Sequence, residues 1–503
     1  LRKFKPVTNS SMQQSYVLGI DIGTGSVKAV ALDSKGQVLH SGQIFYATAT
    51  KTEQDIELVW QSFQQCIREA VLTLQTPPVA IGLSSAMHSI MAVDENGRPL
   101  TKAILWSDTR STDIAQGLRG TTLGDQLYLA TGTPVHSMSP LCKIRWWKEN
   151  DPVVFSKASK FISIKEAIWY RLFGEYVIDH SLATATGMFN HQQLQWDSAA
   201  LSFAGIVSQQ LSHPVQVTYR NNSLSPDLAT LLGLPAGTPF LIGASDGCMA
   251  NLGSLCLSPA EAAITIGTSA AVRITTTSPV QKPEQMIFNY LLEEGIYVCG
   301  GAINNGGNVF QWLLNNLFAG HTSVRTYTDL FHLLTSVPAG SNGLLFLPYL
   351  HGERAPIWDE QSCGVYFGLT VQHGLAHMAR AAAEGVGFAL KQILSILEET
   401  CGSVQQLRIS GGLVEAAAVM QLLADITGKE VVVQQTEDAS AIGAAMLVLK
   451  ASGMIKDYRT ISWENKQVYV PDRNNADVYQ AMFPLYKKLY PLLKDSMHSI
   501  TQL

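Results

Sequence analysis

The chain has 503 residues, too many for one ordinary core, so roughly two to four domains are expected. Apolar residues make up 46% of it and charged residues only 15%, which excludes a disordered chain. A formal net charge of −5 excludes a broad basic field for nucleic acid, so any anionic ligand must be held by local donors.

Residues 16–22 and 27–33 read as two strands and 37–46 as a third, joined by Gly23-Thr24-Gly25-Ser26 and by Asp33-Ser34-Lys35-Gly36. Residues 55–74 have helical spacing, with Ile56, Val59, Trp60, Phe63, Ile67, Ala70, Val71 and Leu74 on one face. Strands follow at 79–85 and 90–94, then a short apolar run at 103–106. This order argues for a mixed-sheet α/β domain. The opening then recurs: Ile20-Asp21-Ile22-Gly23-Thr24 aligns with Ile264-Thr265-Ile266-Gly267-Thr268, as a duplicated domain would, with Thr265 in place of Asp21. The boundary is placed at residues 258/259, giving a first domain of 16–258 and a second of 259–503. The tail, about 476–493, is amphipathic and expected to pack on the second domain, with Pro484 and Pro491 breaking or kinking it.

Seven scattered cysteines with no C-x-x-C pair exclude a disulfide framework or zinc site and suit a reducing cytosol. Residues 1–15 are polar and basic, unlike a signal peptide, and are expected to be a disordered or appended stretch. No apolar run reaches the roughly 18 residues that span a bilayer. The expected location is the cytoplasm, without membrane or nucleic-acid partners, with a homodimer as the one assembly considered.

Several groups carry chemistry. Asp21 interrupts an apolar strand, where a carboxylate is costly without a partner. The small residues Gly23, Thr24, Gly25 and Ser26, followed by Lys28, let backbone N–H groups approach a polyphosphate while Asp21 holds Mg²⁺ through water. The plain alternative is an ordinary Gly-rich hairpin. Gly267-Thr268-Ser269 has the same chemistry and the same alternative. Asp246 ends a buried-type strand, either as a helix N-cap or as a general base for a hydroxyl proton. Met87, His88, Trp106, Asp108, Arg110 and Lys165 follow strands of the first half and suit a polyol; singly, His88 and Arg110 read as a satisfied histidine and an ion-paired arginine. Arg408-Ile409-Ser410-Gly411-Gly412 ends a strand and opens a helix, leaving room for a nucleoside.

Taken in order, these residues resemble the FGGY family of carbohydrate kinases over about residues 16–449. Residues 138–150, beginning Met138-Ser139-Pro140-Leu141-Cys142-Lys143, resemble its first signature; Gly364-Val365-Tyr366-Phe367-Gly368-Leu369 with His377, Met378 and Glu384 resembles the second, with Trp147 and Ala383 departing from the pattern. The resemblance implies two actin-like (ribonuclease H-like) α/β domains related by duplication, with a cleft between them, that use ATP and Mg²⁺. It implies Asp246 as catalytic base and substrate contact, Asp21 as the metal-side carboxylate, and Thr268, Gly307, Gly411 and Gly412 as nucleotide contacts. Glu415 stands where many members carry Asn or Ser, which leaves backbone contacts to the nucleotide there.

Within the family, residues 85–89, 106–111 and Thr131-Gly132-Thr133-Pro134-Val135-His136 are most similar to gluconate-phosphorylating members. The implied reaction is phosphorylation of a sugar acid's primary hydroxyl, D-gluconate giving 6-phosphogluconate. Arg110, Lys165, His88 and His136 are the candidates to meet its carboxylate. Xylulose or another pentulose is the alternative. An actin-like or Hsp70-like ATPase is more distant, since only about 50 residues follow Lys450, too few for a chaperone's substrate domain.

Overall fold

A computed structural model of the chain describes residues 15–47, 50–434 and 438–501. Of the segment expected to be disordered, residues 1–14 lie outside the described residues. An apolar run broken only by Asp21 makes β1 (Tyr16–Ile22) a strand buried along its whole length, as befits a sheet interior covered on both faces. It pairs antiparallel with β2 (Ser26–Asp33), and β2 with β3 (Val38–Phe45). Asp33 closes the second turn because its Oδ1 accepts from the N–H groups of Lys35 and Gln37, both at 2.8 Å. β4 (Ile81–Ser85) runs parallel to β1, β5 (Arg220–Asn221) is a short antiparallel edge, and β6 (Phe240–Ser245) runs parallel to β4. The sheet order is β5-β6-β4-β1-β2-β3.

One face of this sheet carries the helix Ile56–Leu74, N-capped by Asp55, whose Oδ1 accepts from Glu57 N at 2.8 Å. Ile56, Val59, Phe63, Ile67 and Ala70 are fully buried, while Trp60, Val71 and Leu74 pack half-buried at the margin. The helix Ala439–Ala451, from near the other end of the sequence, packs on β1 and β4 and is apolar on nearly every side, as a core helix must be. Glycine permits that approach: a Cβ on Gly19 would stand 1.9 Å from Ala441 O, and one on Gly82 would stand 2.6 Å from Ala444 O.

A second unit repeats the arrangement. β7 (Glu261–Ile266) pairs antiparallel with β8 (Ala270–Thr276) and parallel with β9 (Gln406–Gly411). β10 (Glu430–Gln434) extends it in parallel, and β11 (Asn465–Tyr469) closes the edge antiparallel. The order β8-β7-β9-β10-β11 matches β2-β1-β4-β6-β5 strand for strand and direction for direction. Each unit is assembled from separated pieces of chain. Unit one takes the chain up to Leu255 with Thr277–Val298 and Asp438–Ser462; unit two takes Cys256–Thr276, Cys299–Glu437 and Trp463–Leu503. The boundary expected at 258/259 is near the first crossing, and the chain crosses four more times.

The expectation of a broken C-terminal helix is overturned: Arg473–Ile500 is one helix of 28 residues through both prolines. Pro484 and Pro491 are exposed, as are Gln480 and Lys487, whose carbonyls lose the donors one turn on, so water can satisfy them. The opposite face is anchored in unit two. Tyr479 OH donates to Glu384 Oε1 at 2.8 Å, and the rings of Tyr479, Phe483 and Tyr486 gather on Phe388. No disulfide joins the seven cysteines. Among the described residues, no helix is long and apolar enough to cross a membrane.

Gly19→Ala puts its Cβ against backbone with no rotamer to relieve the clash, and should cost unit one about 1–3 kcal/mol or more in urea unfolding. Gly117→Ala is the control: its Cβ meets nothing within 4 Å, and it lies within the helix Thr112–Leu118, so it should be neutral or mildly stabilising. Equal stability of the two variants would contradict the close approach.

Candidate active site

Because β1, β4 and β6 run parallel, their C-terminal ends share one edge, where open α/β sheets present ligand-binding groups. Register places Asp21 beside Ser84 and Ile22 beside Ser85. On the other side of β4, Ala244 stands beside Ser84 and Ser245 beside Ser85. Asp21 and Asp246, far apart in sequence, therefore flank one strand end.

Asp21 is 9% exposed, and Ser84 Oγ donates to its Oδ1 at 2.7 Å. Burial pushes its carboxyl above the usual range, against the Ser84 hydrogen bond and the charge of Lys28. Lys28 itself is ion-paired with Asp438 at 2.5 Å, a partner that sequence reading missed because it lies 410 residues away. The turn that follows is tight: Gly23 N–H donates to Ser26 O at 2.9 Å, Tyr46 N–H to Gly25 O at 3.1 Å, and Tyr46 OH to Gly23 O. Gln43 Nε2 donates to Ser26 Oγ at 2.8 Å. Thr24 is half-buried and Gly25 exposed at the turn. Among the described residues, no cluster of three or more His, Cys, Asp or Glu could hold a metal. One buried hard carboxylate beside a glycine-rich turn does fit Mg²⁺, which typically uses one or two carboxylates and fills its shell with water and phosphate oxygens.

Asp246 is the first residue of the helix Asp246–Gly253; the N-cap is Ser245, whose Oγ accepts from Cys248 N at 3.4 Å. The N-cap alternative for Asp246 is thus corrected. Its carboxylate is half-buried and accepts from the adjacent Gly247 N–H at 2.7 Å.

Around this edge lie the residues expected to meet a polyol. Met87 and Trp106 are half-buried. His88 is in the left-handed region at φ 64°, with Nδ1 2.8 Å from Ala185 O and Nε2 3.2 Å from Tyr290 OH. Arg110 forks onto Asp108 through Nε and Nη2 at 2.8 and 2.9 Å, reaches Glu53 at 2.7 Å, and stacks over Trp146. Its charge is therefore already oriented by two carboxylates, of which only Asp108 was legible as a neighbour. His136 Nδ1 accepts from Met138 N–H at 3.1 Å. Lys165 is corrected as a substrate contact: it is 1% exposed, paired with Asp179 at 2.6 Å, and donates to the carbonyls of Ile242 and Ala244.

The main omission is Lys143. Fully buried, it donates to His88 O at 3.0 Å and Leu105 O at 2.7 Å, tying the loop of Met87 and His88 to the loop of Trp106, Asp108 and Arg110. It lies in the helix Pro140–Asn150, within the first-signature stretch, but a buried lysine bonded to two backbone carbonyls leaves no sequence pattern.

Unit two presents the equivalent strand ends without the acid. Thr265 Oγ1 and Ser410 Oγ, 3.2 Å apart, occupy the places of Asp21 and Ser84. Gly267 and Thr268 are exposed, and Gly307 N–H donates to Gly267 O at 2.7 Å; a Cβ on Gly307 would stand 2.6 Å from that oxygen. Gly411 has φ 106°, and a Cβ there would lie 2.2 Å from Ile266 O, while Gly412 faces open space. These glycines make a backbone-lined surface. Glu415 is exposed and ion-paired with Lys466 of the edge strand β11, so its carboxylate is committed there.

Two family models match the chain: the N-terminal domain of the FGGY family of carbohydrate kinases over residues 16–253, and its C-terminal domain over 262–452. A gluconokinase of Bacillus licheniformis is 40% identical over 97% of this chain and 98% of its own length. A crystal structure of gluconate kinase from Lactobacillus acidophilus superposes with a TM-score of 0.92 at 32% identity, covering 97% of this chain and 100% of that one. A ligand-bound xylulose kinase from the same organism has the same score and coverage at 33% identity.

Burial lowers the Lys143 ammonium from its ordinary 10.5 to about 7. The unfolded chain then holds that proton more tightly than the folded one between about pH 7 and 10.5, so proton release above 7 favours folding. The stability of the wild type relative to Lys143→Met, from urea unfolding, should rise from pH 7 to 9 by up to about 1.4 kcal/mol per pH unit. A difference that stays flat or falls would refute the lowering of the Lys143 ammonium by burial.

Proposed function

This chain belongs to the FGGY family of carbohydrate kinases, phosphotransferases that use ATP, and from that premise we propose that it phosphorylates the primary hydroxyl of D-gluconate, giving 6-phosphogluconate. The observation that carries this reading is Asp246, first residue of its helix and one residue past the end of β6, which adjoins β4 on the side opposite Asp21. Asp246 takes the proton of the C6 hydroxyl as that oxygen bonds to the γ-phosphorus. The bond from phosphorus to the β–γ bridging oxygen breaks, and ADP leaves with that electron pair. Phosphoryl transfer of this kind is chiefly positioning and charge stabilisation, so one oriented carboxylate can serve as base. Mg²⁺, when bound, neutralises charge on the phosphate oxygens, and Asp21 is the residue that would hold it, through water. The turn at 23–26 offers backbone to the phosphates, and Gly267, Thr268, Gly307, Gly411 and Gly412 offer backbone to the nucleotide.

The choice of gluconate is supported by the 40% identity to gluconokinases over nearly the full chain. Arg110, the least buried of the candidates, meets the sugar's carboxylate from its place against Asp108, Glu53 and Trp146. D-xylulose is the second reading, favoured by the L. acidophilus xylulose kinase at 33% identity.

Asp246→Asn should lower kcat by about 10²–10⁴-fold while leaving ATP binding by calorimetry intact. A near-normal kcat would remove Asp246 from the role of base. In an ADP-release assay, gluconate should give a higher kcat/KM than xylulose, and Arg110→Ala should raise KM for gluconate more than for xylulose. Preference for xylulose by the wild type, with equal losses on both sugars in the variant, would favour the second reading.

A further inference from the structure

The strand that delivers Asp246 is irregular. From Leu241, opposite Gly82, to Ala244, opposite Ser84, β6 advances three residues while β4 advances two, so one extra residue is inserted as a bulge. Gly243 occupies it at φ 66°, where a Cβ would stand 1.7 Å from Leu83 O. Slipping a strand by one residue turns every later side chain to the opposite face, so this bulge decides which way the strand end presents Ser245 and Asp246.

A bulge removes ladder hydrogen bonds from backbone carbonyls. Here Lys165 Nζ supplies them: it donates to Ile242 O at 3.1 Å and Ala244 O at 3.0 Å, and is ion-paired with Asp179 Oδ2 at 2.6 Å. Lys165 and Asp179 are 1% and 0% exposed. Asp179 Oδ1 in turn N-caps the helix His180–Ala185, accepting from Leu182 N at 2.9 Å. From that helix Ser181 Oγ donates to Ser245 Oγ at 2.9 Å and accepts from Ser245 N–H at 3.2 Å. The residue immediately before Asp246 is thus gripped by the helix that Asp179 caps.

A buried ion pair is a poor way to gain stability, because an apolar pair of similar volume often does as well or better. Its three-way geometry is satisfied only when both carbonyls of the bulged strand are in place. We propose that Lys165 and Asp179 are positioning residues for phosphoryl transfer, holding the bulge of β6 so that Asp246 reaches the acceptor hydroxyl. This rests on the reading of Asp246 as base, and the test separates the two.

The full chain carrying Asp179→Asn, Lys165→Met, and the apolar pair Lys165→Met with Asp179→Leu is assayed by ADP release with D-gluconate and D-xylulose, alongside thermal unfolding and ATP calorimetry. Misplacing a reacting group by about 1 Å can cost about 10²-fold, so kcat should fall about 10–100-fold in each variant, with ATP affinity held. The apolar pair should regain the unfolding temperature but not kcat; recovery of both overturns the proposal and leaves the pair a packing feature. If the apolar pair does not fold, Asp179→Asn decides the matter, and wild-type kcat there overturns the proposal. Each change is repeated in Asp246→Asn, where the loss in kcat should largely vanish because the group being positioned is gone. Full, additive losses in that background also overturn it. A near-normal kcat for Asp246→Asn alone instead counts against the base.

Discussion

The parallel pairing of β1, β4 and β6 is the constraint on which the rest depends. Parallel neighbours end at the same edge, and the register Asp21–Ser84–Ala244 fixes which residues arrive there. A buried aspartate costs free energy wherever it is placed, and here one hydrogen bond from Ser84 and the field of Lys28 offset only part of that cost. The duplicated sheet makes the same edge in unit two with Thr265 and Ser410, two neutral hydroxyl groups. One architecture thus yields an acidic edge in unit one and a neutral, glycine-lined edge in unit two.

The chain holds unit one together by returning to it. The helix Ala439–Ala451 fills the face of β1 and β4 opposite Ile56–Leu74, approaching closely enough that glycine is required at 19 and 82. The same return brings Asp438 to Lys28, and Ser440 Oγ to the carbonyl of Asp246 at 3.2 Å. Packing and site are therefore coupled: residues near the end of the sequence hold groups near its beginning. Lys143 and Lys165 do related work from the interior, each spending a buried ammonium on backbone carbonyls of site loops or strands.

The parts legible in the sequence were those with local causes. An apolar run broken by Asp21 and followed by glycines signals a buried strand with a polar end, and the recurrence at Ile264 signals duplication. The family resemblance joined these into a kinase. What escaped was non-local. Lys165 reads as a cation near a polyol site, and only the bulge of β6 shows that its donors face inward. Ser245 and Asp246 are both good N-caps by type, and only the extended backbone of Ser245, φ −66° and ψ 155°, assigns the cap. The two prolines of the last helix obey the rule about lost hydrogen bonds; they lie on an exposed face open to water, and the aromatic face of Tyr479, Phe483 and Tyr486 packs on Phe388.

The most direct test of the central claim is a crystal structure with D-gluconate and a non-hydrolysable ATP analogue. A carboxylate oxygen of Asp246 should lie within hydrogen-bonding reach of the C6 hydroxyl, about 2.6–3.2 Å, with that hydroxyl in line with the terminal phosphorus. A bound sugar whose primary hydroxyl is remote from Asp246, or is met by a different carboxylate, would contradict it.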